Sequence, residues 1–468
     1  MKFRLVCLAR LRLTSPLQIG SGRQDIPFTD RPVVRDVRGI PFIPGGTLAG
    51  ALAASLNKRW RDWLQPADKK EEAKPPKPSP LIVDDAYPLP AQEKSLRWPV
   101  EIRDQVTLKH DTLTAKPDHY FRPEVLPVGT IFRFACRGDF RSSRKAEGFL
   151  QELGKFLAGG GALGGKQSSG SGRWHLQDRK LAYRILDLSQ PEQLKFWLGH
   201  GHGFTWDGKW SSLRRFGFKE ITMPPVAPPP RSRWQLVLGV EIKDGLHLSG
   251  GATGLPRRDE ADLRQAERVT INGRGNLGRE YVDYGSAVKG RLRSVMEMLL
   301  RTYLVRYQNL EEGEVLKLVP VDPNQTSTWP AVRDFFGFRE KRRGKKGAWQ
   351  VEERPWHNPP VTLTREDHIC LDEFTQQVVK TAKFVFSPLN QGVSKVIVSL
   401  PAQAPPWQKT LLAFAAELLC LNLLPWGGHA SRGYLGAKLT LEYVDGFSEK
   451  ALINEVAALL KTGEQEKS

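Results

Sequence analysis

The sequence predicts an α+β fold built as two tandem modules, and three observations carry that prediction. A set of landmarks runs through the chain once and then recurs in the same order. Each pass reads strand, glycine-opened helix, long hairpin, second helix, glycine loop and final strand, so strands and helices must share one sheet with helices on one face. The 468 residues suffice for two cores. Near the midpoint, residues 223–232 contain Met223-Pro-Pro-Val-Ala-Pro-Pro-Pro230, a semi-rigid linker. The expected division is 1–222 for the first module, 233–446 for the second, and 447–468 for a C-terminal helix and tail.

In chain order, residues 3–13 alternate like a strand and 15–22 read as a turn. The stretch 30–50 then organises the module. Val33 and Val34 lead through Pro41-Phe-Ile-Pro44 to Gly45, Gly46 and Thr47, which open an Ala/Leu-rich helix expected to reach about Trp60. Unpaired N–H groups at such a start suit an anion. Residues 65–80 are rich in Lys, Glu and Pro and read as a mobile insertion. Two strand-like runs within 106–134 flank a polar tip, a candidate finger. Phe149, Leu150, Leu153, Phe156 and Leu157 mark the buried face of a helix over 145–157.

The glycine-rich loop 159–173 follows directly. Gly160 to Lys166 match a phosphate-binding G-x-x-x-x-G-K, but Gln167 stands where Ser or Thr must hold magnesium, and a helix precedes it where a strand should. No nucleotide cofactor is expected. Gly164, Gly165, Lys166, Ser168 and Arg173 suit an RNA sugar-phosphate backbone instead, because small residues allow close approach and basic groups hold charge. In Gly199-His-Gly-His-Gly203 two His with no third ligand read as surface residues rather than a metal site.

Past the linker the design repeats. Gly285-Ser286 parallels Gly45-Gly46, Val361-Thr362 parallels Val106-Thr107, and Gly427 to Gly433 parallels Gly164 to Gly170. The run Arg339-Glu-Lys-Arg-Arg-Gly-Lys-Lys346 is the densest basic segment and is read as a phosphate contact.

Seventy Lys and Arg against 51 Asp and Glu leave a net charge of +19, which favours a polyanionic partner. Cys7, Cys136, Cys370 and Cys420 are widely spaced and lack a zinc pattern, consistent with a reducing cytoplasm. The most apolar segment, 411–424, is too short to span a bilayer and contains Glu417 and Asn422, so no membrane partner is expected.

Four stretches carry a family resemblance: Ile43-Pro-Gly-Gly-Thr-Leu-Ala-Gly50, Leu163-Gly-Gly-Lys-Gln-Ser-Ser-Gly-Ser-Gly-Arg173, Ser286-Ala-Val-Lys-Gly-Arg-Leu-Arg293 and Gly427-Gly-His-Ala-Ser-Arg-Gly-Tyr434. Together they resemble the RAMP superfamily of CRISPR-associated proteins, and most of all the family-seven backbone subunits of type III effector complexes, here fused in tandem as in a III-D-like protein. The resemblance implies a ferredoxin-like (RRM-like) core in each half, with thumb hairpins at about 106–124 and 361–380. It implies a guide RNA, a complementary target RNA and other CRISPR effector subunits as partners. The implied RNA-binding residues are Gly45, Gly46, Thr47, Gly164, Gly165, Lys166, Ser168, Arg173, Ser286, Lys289, Arg293, His429, Ser431 and Arg432.

Catalytic members of the family use an aspartate in the loop before the signature helix, which Asp30 matches here, with Asp25 as its rival. RNA brings its own nucleophile, the 2′-OH, so a site needs to bend one phosphate in line and supply a carboxylate as base or as ligand for a divalent ion such as Mg2+. Asp36 is expected to pair with Arg35 or Arg38 or to cap a turn. In the second half Glu267 is aligned with Asp30, Asp262 is a further candidate, and RNA binding without efficient cleavage is expected. A non-cleaving scaffold keeps the same binding features, and a guide-processing endonuclease would need a His-based site that the sequence does not display.

Overall fold

The computed structural model describes residues 2–22, 29–64, 79–89, 100–109, 114–200, 206, 208–224, 233–242, 245–248, 265–273, 275–322, 325–339, 344–356, 366–371, 375, 377–421, 426, 427, 437–442 and 454. Asp25, Asp262, His429, Ser431 and Arg432 lie outside them, as do most of the insertion, the linker from residue 225 on and the C-terminal segment apart from Asn454.

The first half runs β1 (Phe3–Leu13), α1 (Gly45–Ser55), α2 (Lys58–Leu64), β2 (Leu81–Val83), β3 (Gln105–Leu108), β4 (Ala115–Phe121), β5 (Ile131–Phe140), α3 (Ser143–Gly159) and β6 (Arg173–Asp187). Its sheet has the order β6-β1-β5-β2, every neighbour antiparallel. Strict in-out alternation along β5 turns Phe132, Phe134, Cys136 and Phe140 inward. Leu48 and Leu52 of α1, with Phe149, Leu153 and Leu157 of α3, cover that face. The Ser142 hydroxyl accepts the Lys145 N–H and starts α3.

Two expectations are corrected here. The signature helix stops at Ser55, where Leu56 becomes extended, and Trp60 belongs to the separate helix α2, its ring edge-on to Phe149 at 5.4 Å. Helices also cover both faces of the first sheet. After β6, helices α4 (Pro191–His200) and α5 (Trp210–Arg215) precede β7 (Lys219–Thr222), which extends the sheet beside β6. Trp197, Trp206, Leu213 and Phe218 bury Val6 and Leu8 on the side away from α1 and α3. The physical cause is in β1 itself, whose residues 5–9 are buried without interruption, so both faces need a cover. That register also brings Cys7 opposite Cys136 as two buried free thiols, although they are far apart in sequence.

The second half runs β8 (Arg233–Ile242), β9 (Glu267–Ile271), β10 (Leu277–Asp283), α6 (Gly285–Gln308), α7 (Glu312–Leu318), α8 (Pro330–Phe336), β11 (Gln350–Val351), β12 (Glu366–Leu371), β13 (Val378–Phe386), β14 (Val393–Pro401), α9 (Pro406–Cys420) and β15 (Ala437–Leu441). Its sheet order, β11-β14-β8-β15, matches the β2-β5-β1-β6 part of the first sheet and is again antiparallel. Leu236, Leu238 and Val240 pack under Leu292 and Leu300 of α6 and Leu411 and Leu419 of α9. The hairpins β3–β4 and β12–β13 stand apart from both main sheets as two-stranded arms, at or near the expected thumb positions.

Candidate nucleic-acid interface

Asp30 sits at the foot of the β3–β4 hairpin. Its exposed carboxylate accepts the Arg122 N–H at 2.7 Å, and its own N–H donates to the Arg122 carbonyl at 3.2 Å. The Thr29 hydroxyl donates to that same carbonyl at 2.7 Å, so the loop before the signature helix is fastened to the base of the arm. Asp104 is the nearby acidic group, but the Arg122 guanidinium holds it at 2.8 Å. Asp36 caps its own turn, accepting N–H groups of Arg38 and Ile40, as expected. Among the described residues no three His, Cys, Asp or Glu side chains gather as a metal cluster.

Beside this foot the Phe121 ring lies between two cations, the Arg31 guanidinium at 5.2 Å and the Lys166 ammonium at 4.7 Å. Burial, helped by Arg31 and Arg103, pushes the Lys166 amine down to about 7. Lys166 donates to the Gln105 side-chain carbonyl. The glycine loop therefore reaches the arm through its lysine.

The glycines of that loop meet protein backbone. A Cβ on Gly164 (φ +71°) would lie 2.2 Å from the Gln18 carbonyl oxygen, and one on Gly170 (φ +87°) would lie 2.6 Å from the Glu353 nitrogen in the other half. The Gly165 N–H donates to the Gln18 carbonyl at 2.8 Å. At the start of α6, a Cβ on Gly285 would lie 2.1 Å from the Ser169 oxygen. The loop of the first half thus seats on the signature helix of the second. At Gly164 the missing side chain makes room for the Gln18 backbone of the same half, while at Gly170 and Gly285 it makes room for the seam between halves.

Several predicted binding residues gather along that seam. Lys166 and Ser286 line one narrow crevice, while Ser168, Lys289 and Arg293 line an adjoining cavity. Ser286, Lys289 and Arg293 follow one face of α6 at spacings of three and four. Arg173 lies on the seam but is ion-paired with Glu352 at 3.0 Å. At the start of α1 the Gly45 N–H donates to the Asp85 carboxylate at 2.7 Å and the Thr47 N–H to the Pro44 carbonyl at 2.9 Å, which leaves Gly46 as the exposed member of the three.

A buried ionic network, which sequence reasoning missed, locks the seam. Arg103 donates to Glu353 at 2.6 and 3.1 Å and to Glu101, and its guanidinium lies 4.4 Å from the Tyr284 ring centre. Glu101 in turn accepts the Val269 N–H at 2.9 Å, and burial holds its pKa above the usual carboxylate range. Alternation along Val100-Glu-Ile-Arg-Asp104 marks a strand-like segment, but nothing local names Glu353 as its partner.

Shared hydrogen bonds fix which residues of the halves correspond. In the first, Leu17 and Leu126 exchange two backbone bonds, Val34 donates to Ile19, and Phe42 donates to Val34. In the second, Leu246 and Leu389 exchange two, Ala266 donates to Leu248, and Val282 donates to Ala266. Val34 therefore corresponds to Ala266, and four residues earlier Asp30 corresponds in sequence to Asp262. Glu267 falls at the register of Arg35, correcting its alignment with Asp30. It lies within β9, 3.5 Å from Arg279, and its carbonyl accepts the Tyr284 hydroxyl.

Residues 10–175 match the family model of the RAMP superfamily. No curated protein matches the chain. No helix among the described residues is long and apolar enough to cross a membrane.

Proposed function

We propose that this chain is a backbone protein of a type III CRISPR ribonucleoprotein, in which two tandem ferredoxin-like RAMP modules hold a guide RNA and the first module cleaves the complementary target. The family match over residues 10–175 supports the superfamily, and the strand order shared by both sheets supports a duplicated βαββαβ unit. The observation that carries the reading is the exposed Asp30 carboxylate at the foot of an arm. Val106, Leu108 and Tyr120 of that arm are themselves exposed, apolar enough to wedge between stacked bases.

The chemistry follows from the placement. A wedge that splays the target strand turns one phosphate toward in-line attack by the neighbouring 2′-OH. Asp30 accepts the 2′-OH proton, the 2′-oxygen bonds to phosphorus as the bond from phosphorus to the 5′-oxygen breaks, and the leaving 5′-oxygen takes a proton from solvent water, giving a 2′,3′-cyclic phosphate and a 5′-hydroxyl. Lys166 and Arg31, flanking Phe121, hold phosphate charge beside the cut. A magnesium ion would find one carboxylate here, Asp104 being tied to Arg122, which fits its habit of keeping water and substrate phosphate as remaining ligands. Such a role places the protein in the cytoplasm with other effector subunits.

The test is cleavage of labelled target RNA by the guide-loaded assembly, with wild-type chain, Asp30→Ala or Asp262→Ala. Loss of one defined cut in Asp30→Ala with RNA binding retained supports the reading. Survival of every cut removes Asp30 from catalysis. A second reading, a non-cleaving scaffold, is favoured by the bond from Arg122 to Asp30, which gives that carboxylate a purely structural task.

A further inference from the structure

The cavity beside the seam has a volume of about 500 Å³, and its outer wall comes from the segment between α6 and β11. Two chemistries meet in it. Lys289 and Arg293 enter from α6, Arg333 from α8, and Lys345 and Lys346 from the short strand Gly344–Lys346. Val332, Phe336 and Phe338 supply an apolar side, with the Arg293 guanidinium 5.1 Å from the Phe336 ring centre and the Arg333 guanidinium 4.8 Å from that of Phe338. The volume suits a ligand of one-nucleotide size.

The charges are unequally satisfied. Arg293 is paired with Glu297 at 2.7 Å, and Asp334 pairs with Lys345 and lies 3.8 Å from Arg333. Lys289 and Lys346 have no carboxylate within ion-pair distance among the described residues. Lys289 donates to the Trp349 carbonyl at 3.2 Å with its ammonium 4.7 Å from the Trp349 ring centre, and Lys346 donates to Gln167 at 3.0 Å. Burial first, then neighbouring cations, lower the pKa of both, that of Lys289 to about 7. Two amines facing one cavity in a positive field are arranged for an anion. The Ser168 hydroxyl on the wall can donate to its oxygens.

We propose that this cavity binds one phosphorylated nucleotide, its phosphate between Lys289 and Lys346 and its base against Phe336 and Phe338. The site holds whether or not Asp30 cuts RNA. The nucleotide is either free or part of a bound strand, since both present the same phosphate and base.

Isothermal titration of the full chain tests this with AMP, UMP, adenosine, and oligoribonucleotides bearing a 5′-phosphate or a 5′-hydroxyl. Saturable binding of AMP or UMP but not adenosine, weakened at least about tenfold by Arg333→Gln/Lys346→Gln, supports a free-nucleotide site. Preference for the phosphorylated oligoribonucleotide, lost in the same variant, supports a nucleotide at a strand end. Equal loss of affinity for both oligoribonucleotides in that variant, with no mononucleotide bound, supports a nucleotide within the strand. The variant must keep the wild-type melting temperature, and Lys289→Met serves as a second variant if it does not. Binding of mononucleotide without binding of long RNA keeps the cavity and removes the RNA reading. The proposal is overturned if no phosphorylated ligand saturates, or if both variants bind every ligand as the wild type does.

Discussion

Arg103 and Glu353 stand 250 residues apart and meet through two hydrogen bonds of 2.6 and 3.1 Å with both side chains almost wholly buried. One guanidinium therefore ties the base of the first arm to the segment that follows β11, and the halves are joined by charge as well as by chain. Removing Arg103 leaves buried Glu101 with the Val269 N–H and Glu353 with Arg268 at 3.9 Å, so two carboxylates lose their main cation. Arg103→Met should cost about 3–5 kcal/mol, read as a lowered urea midpoint, while adding Glu101→Gln and Glu353→Gln should restore part of it.

Asp30→Asn separates chemistry from architecture. The amide oxygen still accepts the Arg122 N–H, so stability should stay within about 0.5 kcal/mol of wild type while target cleavage falls roughly 10²–10⁴-fold. Asp30→Ala should lose the cut and a further ~1 kcal/mol of stability. Chemical denaturation and a single-turnover assay on the same preparations distinguish the two losses.

Gly170→Ala should loosen the seam. Its positive φ alone costs roughly 1–2 kcal/mol with a side chain, and the added methyl strikes the Glu353 backbone. The expected readout is faster protease nicking that releases two fragments of about module size. Gly290→Ala is the control, since it lies within α6 with open space around it and should stabilise by about 0.5–1 kcal/mol.

Anion binding in the α6 cavity should weaken as pH rises above 7. Lys289 faces Arg293 and Glu297 on its own helix, Arg333 on α8, and Lys345 and Lys346 on the neighbouring strand, and its folded pKa is about 7 against an ordinary 10.5. Between those values the unfolded chain holds the proton and the folded chain does not, so this group's contribution to folding rises with pH across that window. A bound phosphate reverses the bias and draws a proton in. Titrations at pH 8 in buffers of different ionisation enthalpy should therefore show proton uptake that Lys289→Met reduces, Lys346 supplying the remainder.

Part of the element order is legible because glycine-opened helices and alternating strands leave local marks, as at Gly45 and along 3–13. The seam is not, because a glycine in a sequence shows that a side chain is missing and not what fills the space. Gly164 reads as room for RNA, and the Gln18 backbone lies in that room, while Gly170, further along the same loop, meets the Glu353 backbone. The slip at Glu267 has a similar origin. The turn between corresponding residues spans 35–41 in the first half and the longer 267–281 in the second, so motif matching drifted while the backbone hydrogen bonds kept count. Val6 and Leu8 did announce a second buried face, yet alternation was read as one side in and one side out.

The contact at Gly285 joins unlike surfaces, the glycine loop of one repeat to the helix start of the next. A two-fold pair would match like with like and close on itself. This union is heterologous, so the pair has a head and a tail, and repetition of the same step would extend a polar array rather than complete a ring of two.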